Sequence, residues 1–168
     1  MRRIASTLLI AVISFSTIAD EPLPAPRHVS EHVWAWIGPY GPPTDENRGF
    51  RMNLGFVAGD NAVAVIDSGY GDAMAQAMIE RIESVSDDPV RHVINTDSQP
   101  HRVMGNAVFR EHGARIIAGA GAVERIVEQG PAFASIIESV LGLAPGSVGT
   151  LVNQTRPSTS RGRSTSAA

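Results

Sequence analysis

Asn95-Thr96-Asp97-Ser98-Gln99-Pro100-His101-Arg102-Val103-Met104-Gly105-Asn106 is the stretch on which the fold of this chain turns. The apolar pair Val93-Ile94 precedes it, and it runs into a helix-like segment carrying Met104, Val108 and Phe109. A strand that ends in a polar loop feeding a helix sets side chains at the carboxyl end of a sheet, where α/β proteins build their sites. Asp97, Gln99 and His101 alternate, so on an extended loop all three would face one point.

Working outward, the chain alternates between strand-like and helix-like segments. His32–Ile37 reads as a strand closed by Gly38-Pro39, with Trp34 and Trp36 on one face as packing residues. Strand character resumes over Arg51–Ala58, and Gly59-Asp60-Asn61 turns the chain into Ala62-Val63-Ala64-Val65-Ile66. That run is apolar at every position, which suits a strand covered on both faces. Asp67-Ser68-Gly69 ends it. A helix is expected from Asp72 to Ser84, where Ala75, Met78, Ile79 and Ile82 form one stripe, and Val90–Asn95 is the next strand. Beyond the central loop, Val103–Glu111 reads as a helix closed by His112-Gly113, and Ala114–Ala118 as a buried strand. Two helices should follow, separated by a break at Gly130-Pro131. Gly119-Ala120-Gly121 lacks the remaining glycine and the acidic partner of a dinucleotide loop. The expected class is α/β, one mixed sheet flanked by helices.

The central loop resembles the signature of metallo-β-lactamase-fold hydrolases, Asn-Thr-His-x-His-x-Asp-His-x-x-Gly-Asn. The frame matches at Asn95, Thr96, Gly105 and Asn106, while Asp97, Gln99, His101 and Arg102 stand where that family has His, His, Asp and His. Asn53-Leu54-Gly55-Phe56-Val57 and Val65-Ile66-Asp67-Ser68-Gly69 are similar to the family's first hairpin and turn. The resemblance covers roughly residues 33–142 and implies the first half of a metallo-β-lactamase-like αββα sandwich. The order of elements is most similar to exported zinc metallohydrolases of quinoprotein relay systems. The resemblance implies zinc as cofactor and metal-bound hydroxide attacking an ester, thioester or amide carbonyl of a small-molecule substrate. It also implies Asp97 and His101 as the remaining metal ligands, with Asp67 supporting the loop that carries them.

The residue chemistry runs against that implication. A catalytic zinc needs three or more protein ligands and an open position for water. Asp97 is a competent ligand, Gln99 is a weak neutral one, and His101 stands in a slot of the wrong type. A unit positive charge at Arg102, ~5 Å from a dication at an effective dielectric of ~20, costs on the order of 6–7 kcal/mol. The five histidines are 28, 32, 92, 101 and 112, so no histidine is left to supply a later ligand. The expectation is an inactive relative with a degenerate site. Asp97, His101 and Arg102 are also compatible with an anion site at a helix N-terminus, or with an internal Asp–Arg contact in a solvated loop. A function of another class, a non-catalytic periplasmic binding or accessory domain, fits the same scaffold. Ser68 and Ser98 lie in turns without a nucleophile-elbow context.

Bulk properties narrow the choice. At 168 residues, 43% hydrophobic and 18% charged, the chain has the composition of one globular domain. A net charge of −3 gives no reason to expect nucleic acid, and the absence of cysteine excludes disulfides and thiolate chemistry. Arg2-Arg3, the apolar run Ile4–Phe15 and Thr17-Ile18-Ala19 form the three parts of a secretory signal peptide over residues 1–19. The expected location is therefore periplasmic, with no membrane association once the signal is cleaved. Residues 20–31 read as an extended, mobile Pro-rich leader and 32–145 as the partial domain. Residues 146–168, rich in Ser, Thr and Arg, read as a disordered tail or as coding sequence in a shifted frame.

Overall fold

The structure, a computed structural model, describes residues 23–148 and the backbone of 156–157. The signal peptide expected over 1–19 and the remainder of the expected tail lie outside the described residues. One sheet runs through the molecule in chain order: β1 (Arg27–Ser30), β2 (Val33–Trp36), β3 (Leu54–Ala58), β4 (Val63–Ile66), β5 (Val90–Asn95), β6 (Arg115–Ala118) and the two-residue β7 (Arg156–Pro157). The strands from β1 to β4 pair antiparallel, and β4 to β7 pair parallel. Parallel neighbours need crossovers. They are provided by α1 (Asp72–Glu83) between β4 and β5, and by the short helices α2 (Pro100–Val103) and α3 (Asn106–Glu111) between β5 and β6. The long helix α4 (Ala120–Val140) follows β6. The α/β class read from the sequence is the class observed.

The core forms where the helices meet one face of the sheet. Phe56, Val63, Val65, Val93 and Ile116 point from the strands toward Met74, Met78 and Ile82 of α1, Phe109 of α3 and Ile137 of α4. Trp34 and Trp36 pack as expected, the first stacked on Phe56 at 5.2 Å and the second tilted against it at 5.4 Å. The expectation that β4 is covered on both faces is not met. Its burial alternates, and so does that of β3, leaving Val57 and Ile94 more than a third exposed on the second face. Every described helix that contributes to the core contributes to the first face. Among the described residues, no helix is long and apolar enough to cross a membrane.

Three other expectations change. The Pro-rich leader is extended, but from Leu23 onward it belongs to the folded unit. Leu23 is buried in the core, the Trp36 Nε1–H donates to the Pro24 carbonyl at 2.9 Å, and β1 pairs with β2. The helix expected over Val103–Glu111 is two helices, because the chain bends at Met104-Gly105 to seat Gly105 against the turn after β4. The break expected at Gly130-Pro131 does not occur, and α4 runs through it with Pro131 inside. Ile126 and Ile137 anchor this helix on either side of the proline, and Gly130 is buried between them. Their packing outweighs the local penalty.

That penalty is measurable. A proline inside a helix costs about 3 kcal/mol, while its stiffening of the unfolded chain returns up to ~1 kcal/mol. Pro131 is exposed, so no packing is lost on truncation. Pro131→Ala is expected to stabilise the protein by about 2 kcal/mol, read as a higher urea midpoint with an unchanged m-value.

Candidate functional site

β4 and β5 are parallel neighbours in the middle of the sheet, so their carboxyl ends open side by side. The Asp67 N–H donates to the Ile94 carbonyl at 3.0 Å and fastens the two ends together. Asp67 itself has φ 61°, a left-handed conformation that Asp tolerates better than most residues, and its side chain is 1% exposed. A carboxylate buried so completely requires partners. It has them: Oδ1 accepts from the Thr96 N–H at 2.8 Å, the Thr96 hydroxyl lies 2.9–3.0 Å from both oxygens, and Arg102 Nη1 donates to Oδ2 at 2.5 Å.

The four positions that match the family frame build the loop rather than any chemistry. Asn95 and Asn106, both buried, exchange side-chain amide hydrogen bonds at 2.8 and 3.1 Å. Thr96 serves Asp67. Gly105 sits where an added Cβ would meet the Ser68 carbonyl oxygen and would lie 2.7 Å from the Ala75 methyl. The loop's other anchor is the main chain of Arg102. Its carbonyl accepts from the Ser68 N–H at 2.8 Å, the Asn95 amide at 3.0 Å and the Ser68 hydroxyl at 3.2 Å.

The alternation of Asp97, Gln99 and His101 is broken by local structure. Asp97 Oδ1 accepts from the Gln99 N–H at 2.6 Å, a turn typical of Asp, and Pro100 then starts α2 at its first position. His101 therefore lies on a helical turn, and the extended geometry that would aim three side chains at one point ends at Gln99. Arg102, one residue on, returns to the carboxylates. Its Nη1 is held by Asp67 and lies 3.2 Å from Thr96 Oγ1. Its Nε lies 3.2 Å from Asp97 Oδ2, an ion-pair distance, although the N–H is not aimed at that oxygen. The internal Asp–Arg contact is present, and it reaches two acids rather than one.

His101 is half-buried. Burial pushes its imidazole pKa below 6.5, helped by the Arg102 and Arg51 guanidinium charges and opposed by Asp97 and Asp67. The neutral imidazole is thereby favoured over the imidazolium. Arg51 also acts on Tyr70, just beyond the Asp67 turn, where burial raises the phenol pKa above 10.0 against the pull of that guanidinium. The folded protein thus favours the neutral phenol, so the stability tied to Tyr70 is intact below pH 10 and declines as the pH rises through 10 toward the folded value. In a spectrophotometric titration, Tyr70→Phe is expected to remove a phenolate transition lying above 10.0 and to flatten the alkaline loss of stability.

Zinc does not fit this arrangement. Asp67 is saturated by Thr96 and Arg102, and Asp97 is engaged by Arg102 and the Gln99 N–H. Among the described residues, no group of three His, Cys, Asp or Glu side chains stands close enough to hold a metal ion. Charge points the same way. Two guanidinium groups, Arg51 and Arg102, already act on His101 against two carboxylates, so a dication would add uncompensated positive charge. Thr96 carries a role that sequence reasoning did not assign, bonding both oxygens of Asp67, and its signal was its place in the loop frame.

No protein-family model matches the chain, and no curated protein matches it in sequence. In structure, 62% of the chain superposes on 47% of a crystal structure of a metallo-β-lactamase from Hirschia baltica, with a TM-score of 0.52 and 16% identity. The chain thus corresponds to about half the length of that protein, and a likeness at this identity speaks for the fold alone. The mixed sheet, the crossover helices and the loop at the ends of β4 and β5 are consistent with a partial metallo-β-lactamase-like α/β fold.

Proposed function

We propose that this chain is an exported protein of metallohydrolase ancestry that does not itself run metal-hydroxide hydrolysis of esters, thioesters or amides. The observation that carries the reading is Arg102, whose guanidinium stands in a ligand slot, is held by Asp67 and lies at ion-pair distance from Asp97, the acid that would have to serve a metal. Export is supported by the charged start, apolar run and small residues of positions 2–19. The test uses the full chain expressed with its leader and purified from the exported fraction. Loaded with zinc and offered a β-lactam, an aryl ester and a thioester, it should turn over none of them above a zinc-only blank. Zinc-dependent turnover that chelator abolishes would overturn the reading.

A second reading, a binding scaffold, is favoured by one feature. A cavity of about 330 Å³ lies between the start of α1 and the end of α4, lined by Met74, Ile137, Leu141, Leu143 and Val148, with Tyr70, Arg48 and Asp72 among its polar groups. Its size and lining suit a small, mostly apolar molecule with one polar end. Closing it with Leu143→Trp, at a lining position that is 45% exposed, should abolish any such binding seen by calorimetry, and leave the loop around Asp67 intact.

A further inference from the structure

We infer that the second face of the sheet is the contact through which two copies of this chain dimerise, sheet against sheet with the helices outside. The strand registers set two rows of side chains across β2 to β6 on that face. One row, Ala35-Gly55-Ile66-Ile94-Ile117, is apolar from end to end. The row beside it begins with Val33 and Val57, and its two polar members, His92 and Arg115, stand together on β5 and β6. None of these residues belongs to the core on the first face, and Val57 and Ile94 are 36% and 38% exposed. A sheet that is apolar on both faces needs a covering layer on both.

A second copy meets this face in shape, size and charge. Twisted sheets stack on like sheets about 10 Å apart with their strands about 30° from aligned. The small residues Ala35, Gly55 and Ala64 leave nothing bulky to hold two copies apart. Five strands at ~4.8 Å spacing, each about four residues of ~3.3 Å, make a face of roughly 24 by 13 Å, or ~300 Å². With its rim added, that is an interface at the small, reversible end of the range. Charge sets the orientation. β2 and β6 lie two strands to either side of β4, so a two-fold axis along β4 lays β2 of one copy over β6 of the other. Glu31, two residues before Val33 and with a side chain 89% exposed, then comes over the corner held by Arg115. The symmetry makes that contact twice. Arg27 ends the apolar row at the β1 edge, where it is exposed and reaches solvent. Residues 149–168 are a poor alternative cover, because Leu151 and Val152 are their only large apolar side chains.

The inference rests on neither functional reading. Sedimentation velocity of the full chain, purified from the exported fraction at about 1 to 200 µM, should show a reversible monomer–dimer equilibrium. Ile94→Asp should raise the dissociation constant on the order of tenfold or more and leave the far-ultraviolet circular dichroism unchanged. Arg115→Glu should weaken the dimer about threefold, and adding Glu31→Arg to that chain should restore it. The chain has no cysteine, so Ala64→Cys, placed at the axis, should be joined to its copy by a short bis-maleimide. Glu128→Cys, exposed on α4, should not be joined. A monomer at every concentration, association that runs past the dimer, or a dimer that Ile94→Asp leaves as tight overturns the inference. If Ile94→Asp does not fold, the charge exchange and the cross-link decide: no restoration and no joining through Ala64→Cys overturn it. None of these outcomes bears on hydrolysis.

Discussion

Asp67→Asn is expected to lower the unfolding free energy by about 3 kcal/mol. The substitution keeps the shape of the side chain, and Asn is at ease in the left-handed conformation at φ 61°. What it removes is the charge opposite Arg102. The amide must also turn one of its own donors toward the Thr96 hydroxyl or the guanidinium, where the carboxylate accepted from both. Breaking a buried pair from one side costs about 3–5 kcal/mol, and the lower end applies because Arg102 is 27% exposed and can reach water. Chemical denaturation with an unchanged m-value checks the size. A loss under 1 kcal/mol would show that Arg102 and Asp67 are neighbours without being partners.

Gly105→Ala is the second large effect and it has a different origin. The φ of Gly105, −87°, is open to any residue, so the glycine is there for space and not for conformation. A methyl group would run into the Ser68 carbonyl oxygen, which is main chain at the turn holding Asp67, and would crowd Ala75 on α1. Overpacking that a side chain can absorb costs about 1–3 kcal/mol, and a clash with a fixed carbonyl belongs at or above the top of that range. The expected loss is ~3 kcal/mol or more, with the Asn95–Asn106 amide pair disturbed as the bend opens. Gly121→Ala, in the first turn of α4 with nothing within 4 Å, is the control. It should gain about 0.5–1 kcal/mol.

The hairpin of β3 and β4, the stripe of α1 and the strand before the central loop were legible because each follows from local periodicity. Met78, Ile79 and Ile82 can lie on one side only if residues 72–83 are helical, and they are all buried. The Asp67 turn was legible from the glycine that follows it and from its similarity to a known turn. What could not be read depended on contacts distant in sequence. Gly130-Pro131 has the local signature of a break, yet Ile126 and Ile137 hold the helix across it. Residues 27–30 have the composition of a leader, but the edge of β2 pairs with them. The candidate site divides in the same way. That Asp97 and Arg102 share one loop follows from their spacing, and the fact that Arg102 turns toward Asp67 and not away from the loop rests on a pairing across 35 positions that no spacing encodes.

The order of the strands in the sheet is the order in which the chain is made. Each strand therefore docks beside the one that was completed just before it, and the widest gap to be closed within the described unit is a single crossover. Loop-closure entropy grows only slowly over such distances, and a topology of sequential neighbours folds faster than one that must bring remote strands together. Refolding from denaturant can begin at the β3–β4 turn, where the Gly59 N–H donates to the Ala62 carbonyl at 2.9 Å, and extend in both directions from there. The Asp67–Arg102 bridge closes only after β5 has joined, which makes it a late contact whose loss should quicken unfolding more than it slows folding.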